Sequence, residues 1–137
     1  AAKPGETLGD NWLHAAAGKR AFRHVLFDSN YWKTFVANRW RTGIGDPGAL
    51  MLPGHAAADH GLFIDHMLAE YPTMVRTDIR SCEEWQAMPG KPDNHLLDCV
   101  VGTCVAASAS GIVLDGYKLP AVSVERRRVE IPEEMLA

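Results

Sequence analysis

The sequence predicts a single α/β domain in which strands alternate with helices in layers. Three observations point there. Residues 21–28 (AFRHVLFD) alternate with period two and are rich in β-branched and aromatic side chains, as a strand requires. Residues 29–43 and 93–111 repeat apolar positions at helical spacing, between capping residues and a glycine. A length of 137 residues with 47% hydrophobic and 23% charged composition suits an ordinary soluble globular domain.

Residues 1–18 open the chain with Pro4, Gly5 and Gly9 among mixed polarity, and read as an irregular arm. The core is expected over 19–111. After the strand at 21–28 comes the helix SNYWKTFVANRWRTG, with Ser29 or Asn30 as N-cap and Trp32, Phe35, Val36 and Trp40 on its apolar face. Gly43 ends it. GDPG (45–48) is a turn by its chemistry, and ALML (49–52) a short strand. DHGLFIDHMLAEY (59–71) predicts a helix stopped by Pro72, and TMVRTDI (73–79) another strand. CEEWQAMPGKP (82–92) reads as a turn of helix and a loop. A last helix then runs from Asp93 as N-cap to Gly111. Residues 112–137 lack periodicity and read as an arm or hairpin.

A net charge of −3 gives no global attraction to nucleic acid, so any such contact must come from local patches. Lys19, Arg20 and Arg23 form one; Arg39 and Arg41, and the run Arg126–Arg128, form others. Each reads equally as a solvated face. No apolar run reaches the ~20 residues of a membrane span, and no signal-peptide pattern opens the chain. Ala1 in place of Met reads as a chain processed or excised from something longer. Cys82, Cys99 and Cys104 are an odd number in apolar surroundings, as expected of free thiols in a reducing compartment. There is no CxxC or HxxxH pair, no GxxxxGK[ST] loop and no GxSxG elbow. These absences argue against a structural zinc site, P-loop hydrolysis and an α/β-hydrolase nucleophile.

Two carboxylates stand out. Asp98 lies in the second turn of a helix that otherwise reads as core, beyond the favourable reach of its dipole. Gly102 one turn later leaves room above it for a backbone or ligand. A partly exposed ion pair with Lys or Arg, or a metal at the core's edge, would each explain it. Asp28 closes a strand before a helix, where ligands gather in open α/β sheets and where N-caps also sit. Lys33, in the first half of that helix, reaches for an anion.

Taken in order, FDSNYWKTFVANRW (27–40), GDPGALMLPG (45–54) with DHMLAEY (65–71), and EEWQAMPGKPDNHLLDCVVGTCVAA (83–107) resemble the C-terminal nuclease part of the large terminase subunit of tailed phages, in its lambda-like branch. The most specific stretch is Asn94, Leu97, Asp98 and Cys99 before a small-residue helix, with His95 where that family has Glu. Leu68 to Glu70 matches its Leu-x-x-Glu with one spacing difference. The resemblance covers roughly residues 20 to 110.

The resemblance implies an RNase H-like fold, a mixed sheet flanked by helices, partial in this chain because nothing before residue 20 matches the family's first strand and its catalytic Asp. It implies a metal-dependent endonuclease cutting concatemeric double-stranded viral DNA, with a two-metal Mg²⁺ or Mn²⁺ site in the complete domain. Asp98 would be the final-helix ligand and catalytic residue, and Asp28 the later-strand one. Glu70, Asn94 and His95 are accessory candidates. Lys19, Arg20, Arg23 and Lys33 would contact DNA. Expected partners are the portal and the small terminase subunit, with host cytoplasm as the place of action. A homodimer through an exposed sheet edge is also expected. The alternative from another class is a non-catalytic module that binds DNA or a packaging partner.

Overall fold

The computed structural model describes residues 3–15, 22–91 and 93–114. It is a mixed α/β structure with three α-helices and two separate antiparallel sheets, where one mixed sheet was expected. Strands β1 (Thr7–Leu8), β2 (Trp12–Ala15) and β3 (His24–Phe27) form the first sheet, in that order. The expected irregular arm therefore contributes two of its strands. Short strands around a tight Gly–Asp–Asn turn leave little periodicity to read, but the pairing of Trp12 with Phe27 and of Leu13 with Leu26 fixes their register.

Helix α1 (Ser29–Arg41) follows β3 directly. Its N-cap is Asp28, one residue before the expected Ser29 or Asn30. Trp32, Phe35 and Val36 are its buried residues, as their spacing predicts. Beyond the turn at 45–48, residues 49–52 are not a strand. Leu50 gives its N–H to the carbonyl of Arg39 at the end of α1, so this segment seals a helix terminus and joins no ladder.

A 3₁₀ turn (Ala57–His60) leads into α2 (Gly61–Met67). That helix stops well before Pro72. Met88 donates its N–H to the carbonyl of Ala69 and so begins the pairing of β4 (Glu70–Arg76) with β5 (Ser81–Ala87). Residues 82–87 are thus strand, where a helical turn was expected. Pro72 sits opposite Trp85, whose N–H points away to Asn30 Oδ1 at 3.0 Å. The proline therefore occupies a position that needs no ladder donor.

Helix α3 (His95–Ala109) buries Leu97, Val101 and Val105, one turn apart along one stripe. It ends as expected at Gly111, which takes φ +84°. Ile112 N–H reaches the carbonyl of Ala107 and Gly111 N–H that of Ser108, the paired bonds of a Schellman stop. The core is the seam between α1 and α3: Trp32, Phe35, Val36, Leu97, Val101 and Val105, flanked by Trp12 and Val25 from the first sheet. Trp12 Nε1 also donates to Ser108 Oγ at 2.9 Å and pins β2 to α3. Among the described residues, no helix is long and apolar enough to cross a membrane. The expected arm at 112–137 lies outside the described residues from position 115 onward.

Candidate functional site

The face of α1 opposite the core presents Asn30, Lys33 and Thr34 at helical spacing. The period of two along the hairpin turns Glu70, Glu83 and Trp85 to that same side. The two patterns interlock. Thr34 Oγ1 donates to Glu83 Oε2 at 2.7 Å and accepts from Trp85 Nε1 at 3.0 Å, while Asn30 takes the Trp85 backbone N–H. This polar seam holds the hairpin against α1 and sets the position of Glu70 at its start.

Glu70 is the centre of the site. Its two oxygens accept from Lys33 Nζ at 2.8 and 2.7 Å, and Oε1 also accepts from Asn94 Nδ2 at 2.6 Å. Its side chain is only 8% exposed and that of Lys33 12%. Burial raises the Glu70 pKa, but the bonds from Lys33 and Asn94 and the charge of Lys33 outweigh it, and the carboxyl is held below its ordinary value of 4.5. Asp98, one helical turn beyond Asn94, brings Oδ1 to 3.6 Å from the same ammonium and is 53% exposed. A Cβ at Gly102 would meet nothing within 4 Å, so there is open space on the helix surface one turn further on. Asp98 is therefore a partly exposed ion-pair residue, and its partner is Lys33.

The other sequence-derived candidates stand apart from this cluster. Asp28 is an N-cap: Oδ1 accepts the N–H groups of Asn30 and Tyr31 at 3.0 and 3.2 Å. Removing that acceptor should cost about 1 kcal/mol, and serine or asparagine in its place should restore most of it. Chemical unfolding of Asp28→Ala beside Asp28→Asn checks this; equal losses would mean the cap does not hold the helix. His95 is exposed, with Nε2 at 3.8 Å from Asp93 Oδ1. Arg23 is exposed before β3, whereas Lys33 spends its charge on carboxylates. Lys19 and Arg20 lie outside the described residues. Burial pushes the Cys104 thiol pKa up, which makes it a poor nucleophile at neutral pH.

Among the described residues, no three His, Cys, Asp or Glu side chains gather as a metal cage. The donors at Glu70 nevertheless suit one hard divalent ion. Two carboxylates from different elements converge on a single cationic centre, with an amide beside them. Mg²⁺ is commonly held by one or two carboxylates, with water and substrate phosphate completing its shell. A second ion would need further acidic donors. An apolar groove of about 750 Å³ opens alongside, with Trp40, Phe63, Tyr71 and Trp85 in its walls and Glu70 at its edge.

No family model, no curated protein and no solved structure matches this chain.

Sequence reading had Glu70 only as an accessory residue, and missed Glu83, Trp85 and Thr34 altogether. EEWQA is composed of good helix formers apart from its tryptophan, and this masked the strand alternation that turns Glu83 and Trp85 to one side. Reading 83–87 with period two would have exposed it.

Proposed function

We propose that this chain carries part of a divalent-metal-dependent endonuclease site acting on double-stranded DNA, of the RNase H-like kind used by the large terminase subunit of tailed phages. The observation that supports it most is the convergence of Glu70 and Asp98 on Lys33. The two acids come from two of the three stretches that carry the family resemblance, in the Leu68–Glu70 match and the Asn94–Asp98 match. Glu70 and Asp98 would hold the ion, with Asn94 orienting Glu70. The ion, when bound, would lower the pKa of a bound water and stabilise the leaving oxygen. Lys33 keeps Glu70 ionised and holds the two acids close together when no other cation is present. The portal and the small terminase subunit would be assembly partners, and a second copy of this chain could pair at an open sheet edge.

The reading as a DNA-binding module without chemistry, built on Lys19, Arg20, Arg23, Lys33 and the run Arg126–Arg128, is less well supported, because Lys33 is consumed by Glu70.

The test is nicking of supercoiled plasmid by the parent chain in Mn²⁺, in Mg²⁺ and in EDTA, beside Asp98→Asn. Asp98 is half exposed, so its amide analogue should leave stability within about 0.5 kcal/mol and report chemistry alone. The expected result is metal-dependent nicking that falls by roughly a hundredfold in the variant, the scale on which loss of one charge-stabilising group acts. Nicking that survives EDTA, or that is equal in parent and variant, would exclude the proposal.

A further inference from the structure

Asn94 occupies the N-cap position of α3, yet its side chain does not cap the helix. Its amide donates instead to Glu70 Oε1 at 2.6 Å. The first N–H groups of a helix lack intrahelical acceptors, so this reassignment leaves α3 in need of another cap. One is supplied from outside: Leu96 N–H donates to Nδ1 of His66 at 3.2 Å. Leu96 is the second residue of α3, one of the places an N-cap side chain ordinarily serves. His66 comes from the last turn of α2. A ring nitrogen that accepts an N–H bond carries no proton, so this bond requires a neutral imidazole with its hydrogen on Nε2.

We propose that His66 is a positioning residue for the Glu70–Asp98 site, and that it works only as the neutral ring that caps α3 in place of Asn94. This deepens the nuclease reading and rests on it. A proton on Nδ1 would turn the acceptor into a donor. Two N–H groups would then face each other at the positive end of a helix dipole. The first turn of α3 would loosen, carrying Asn94 away from Glu70 and moving Asp98. The titratable groups that line the same cleft as His66 are Asp65 on α2 and Lys91 and Asp93 on the loop before α3, and the ring of His95 on α3 lies 6.3 Å away between centroids. Lys91 is itself bonded to Asp65 at 2.9 Å. Among these neighbours, the Nδ1 contact is the one that ties the protonation state of His66 directly to the backbone of α3.

The experiment is an NMR titration of the full chain from about pH 8 to about pH 5, the span in which an imidazole changes charge. It follows the His66 ring nitrogens and the exchange of the Leu96 amide, with plasmid nicking in Mn²⁺ measured over the same range. His66→Asn places an amide oxygen near the position of Nδ1 and does not titrate; His66→Leu has no acceptor. In the parent, Nδ1 should be unprotonated at the high end. Leu96 protection should fall about five- to tenfold as the ring gains its proton, the factor a lost cap carries. His66→Asn should keep that protection, corrected for intrinsic exchange, flat with pH, and should flatten the acidic limb of the nicking profile. His66→Leu should lack the protection throughout. A proton found on Nδ1 at the high end, or Leu96 protection unchanged while the ring titrates, overturns the proposal. So does an acidic limb that His66→Asn leaves in place. Absence of nicking at every pH, with the Leu96 behaviour as expected, would overturn the nuclease reading and support the cap.

Discussion

Trp32→Ala should lower the stability of this chain by about 3–5 kcal/mol, seen as a melting temperature roughly 10–20 °C lower. Trp32 is fully buried at the centre of the α1–α3 seam, with Phe35 at 5.3 Å and Tyr31 at 5.5 Å between ring centroids, both edge to face. Truncation removes an indole from a core that has few large side chains to refill the space. Among the described residues the buried set is short, with Val36, Leu97, Val101 and Val105 as its main aliphatic members. A domain of ordinary stability has only ~5–15 kcal/mol to lose. Thermal unfolding followed by near- and far-ultraviolet circular dichroism checks the loss, and a fall of under about 1 kcal/mol would mean the cavity collapses freely. The functional effect should be indirect but large, since Lys33 is the next residue and α3, on the other side of the seam, carries Asn94 and Asp98. Asp98→Asn should do the opposite, removing chemistry with little loss of fold. On the nuclease proposal, comparing the two variants separates loss of an acid from loss of the scaffold.

What could be read from the chain follows from how local each signal was. Helices α1 and α3 were legible because Trp32, Phe35 and Val36, and Leu97, Val101 and Val105, repeat with the helical period and end in recognisable chemistry. Gly111 takes the positive φ its position demands. Strand β3 was legible from its alternation. The hairpin was legible in part: residues 73–76 of β4 fall within the strand expected at 73–79, but its start at Glu70 and the whole of β5 were not. Glu70 and Tyr71 continue the composition of the helix before them, and residues 83–87 favour helix by propensity; only their mutual pairing makes both of them strand. The first two strands are too short to be seen alone; β3 offers an edge to β2, and β2 offers one to β1. The site was legible in half. Asp98 raised the question of its partner, but the answer, Lys33 shared with Glu70, joins residues 65 and 28 positions away. The role of Glu70 is set by tertiary pairing. So is the cap from His66, which no local pattern could announce.

Glu70→Ala should be the most damaging change at the site itself, destabilising by about 3 kcal/mol at neutral pH. It strips the partner from an ammonium that is only 12% exposed and leaves the Asn94 amide without its acceptor. Asp98, 3.6 Å from that ammonium and half exposed, compensates only in part. Lys33→Met should cost a comparable amount, since it leaves a nearly buried carboxylate without a counter-charge. The double variant Lys33→Met with Glu70→Leu should recover most of either loss, because replacing a buried pair by apolar groups of similar volume is often neutral. Urea unfolding of the parent, Lys33→Met, Glu70→Leu and the double variant measures this coupling, and simple additivity would mean the pair contributes nothing as a pair. The pH dependence has a definite sign. Glu70 is held below its ordinary pKa of 4.5, so the folded chain favours its ionised form. Its contribution is present above that pH and is lost as pH falls through the lowered folded value. The gap in stability between the parent and Glu70→Ala should therefore shrink below pH 4.5. A lysine held by two acids, one buried and one open to solvent, also explains why, on the nuclease proposal, stability and cleavage should part company. The buried acid anchors the ammonium, and the open one can turn towards an arriving cation without disturbing the core.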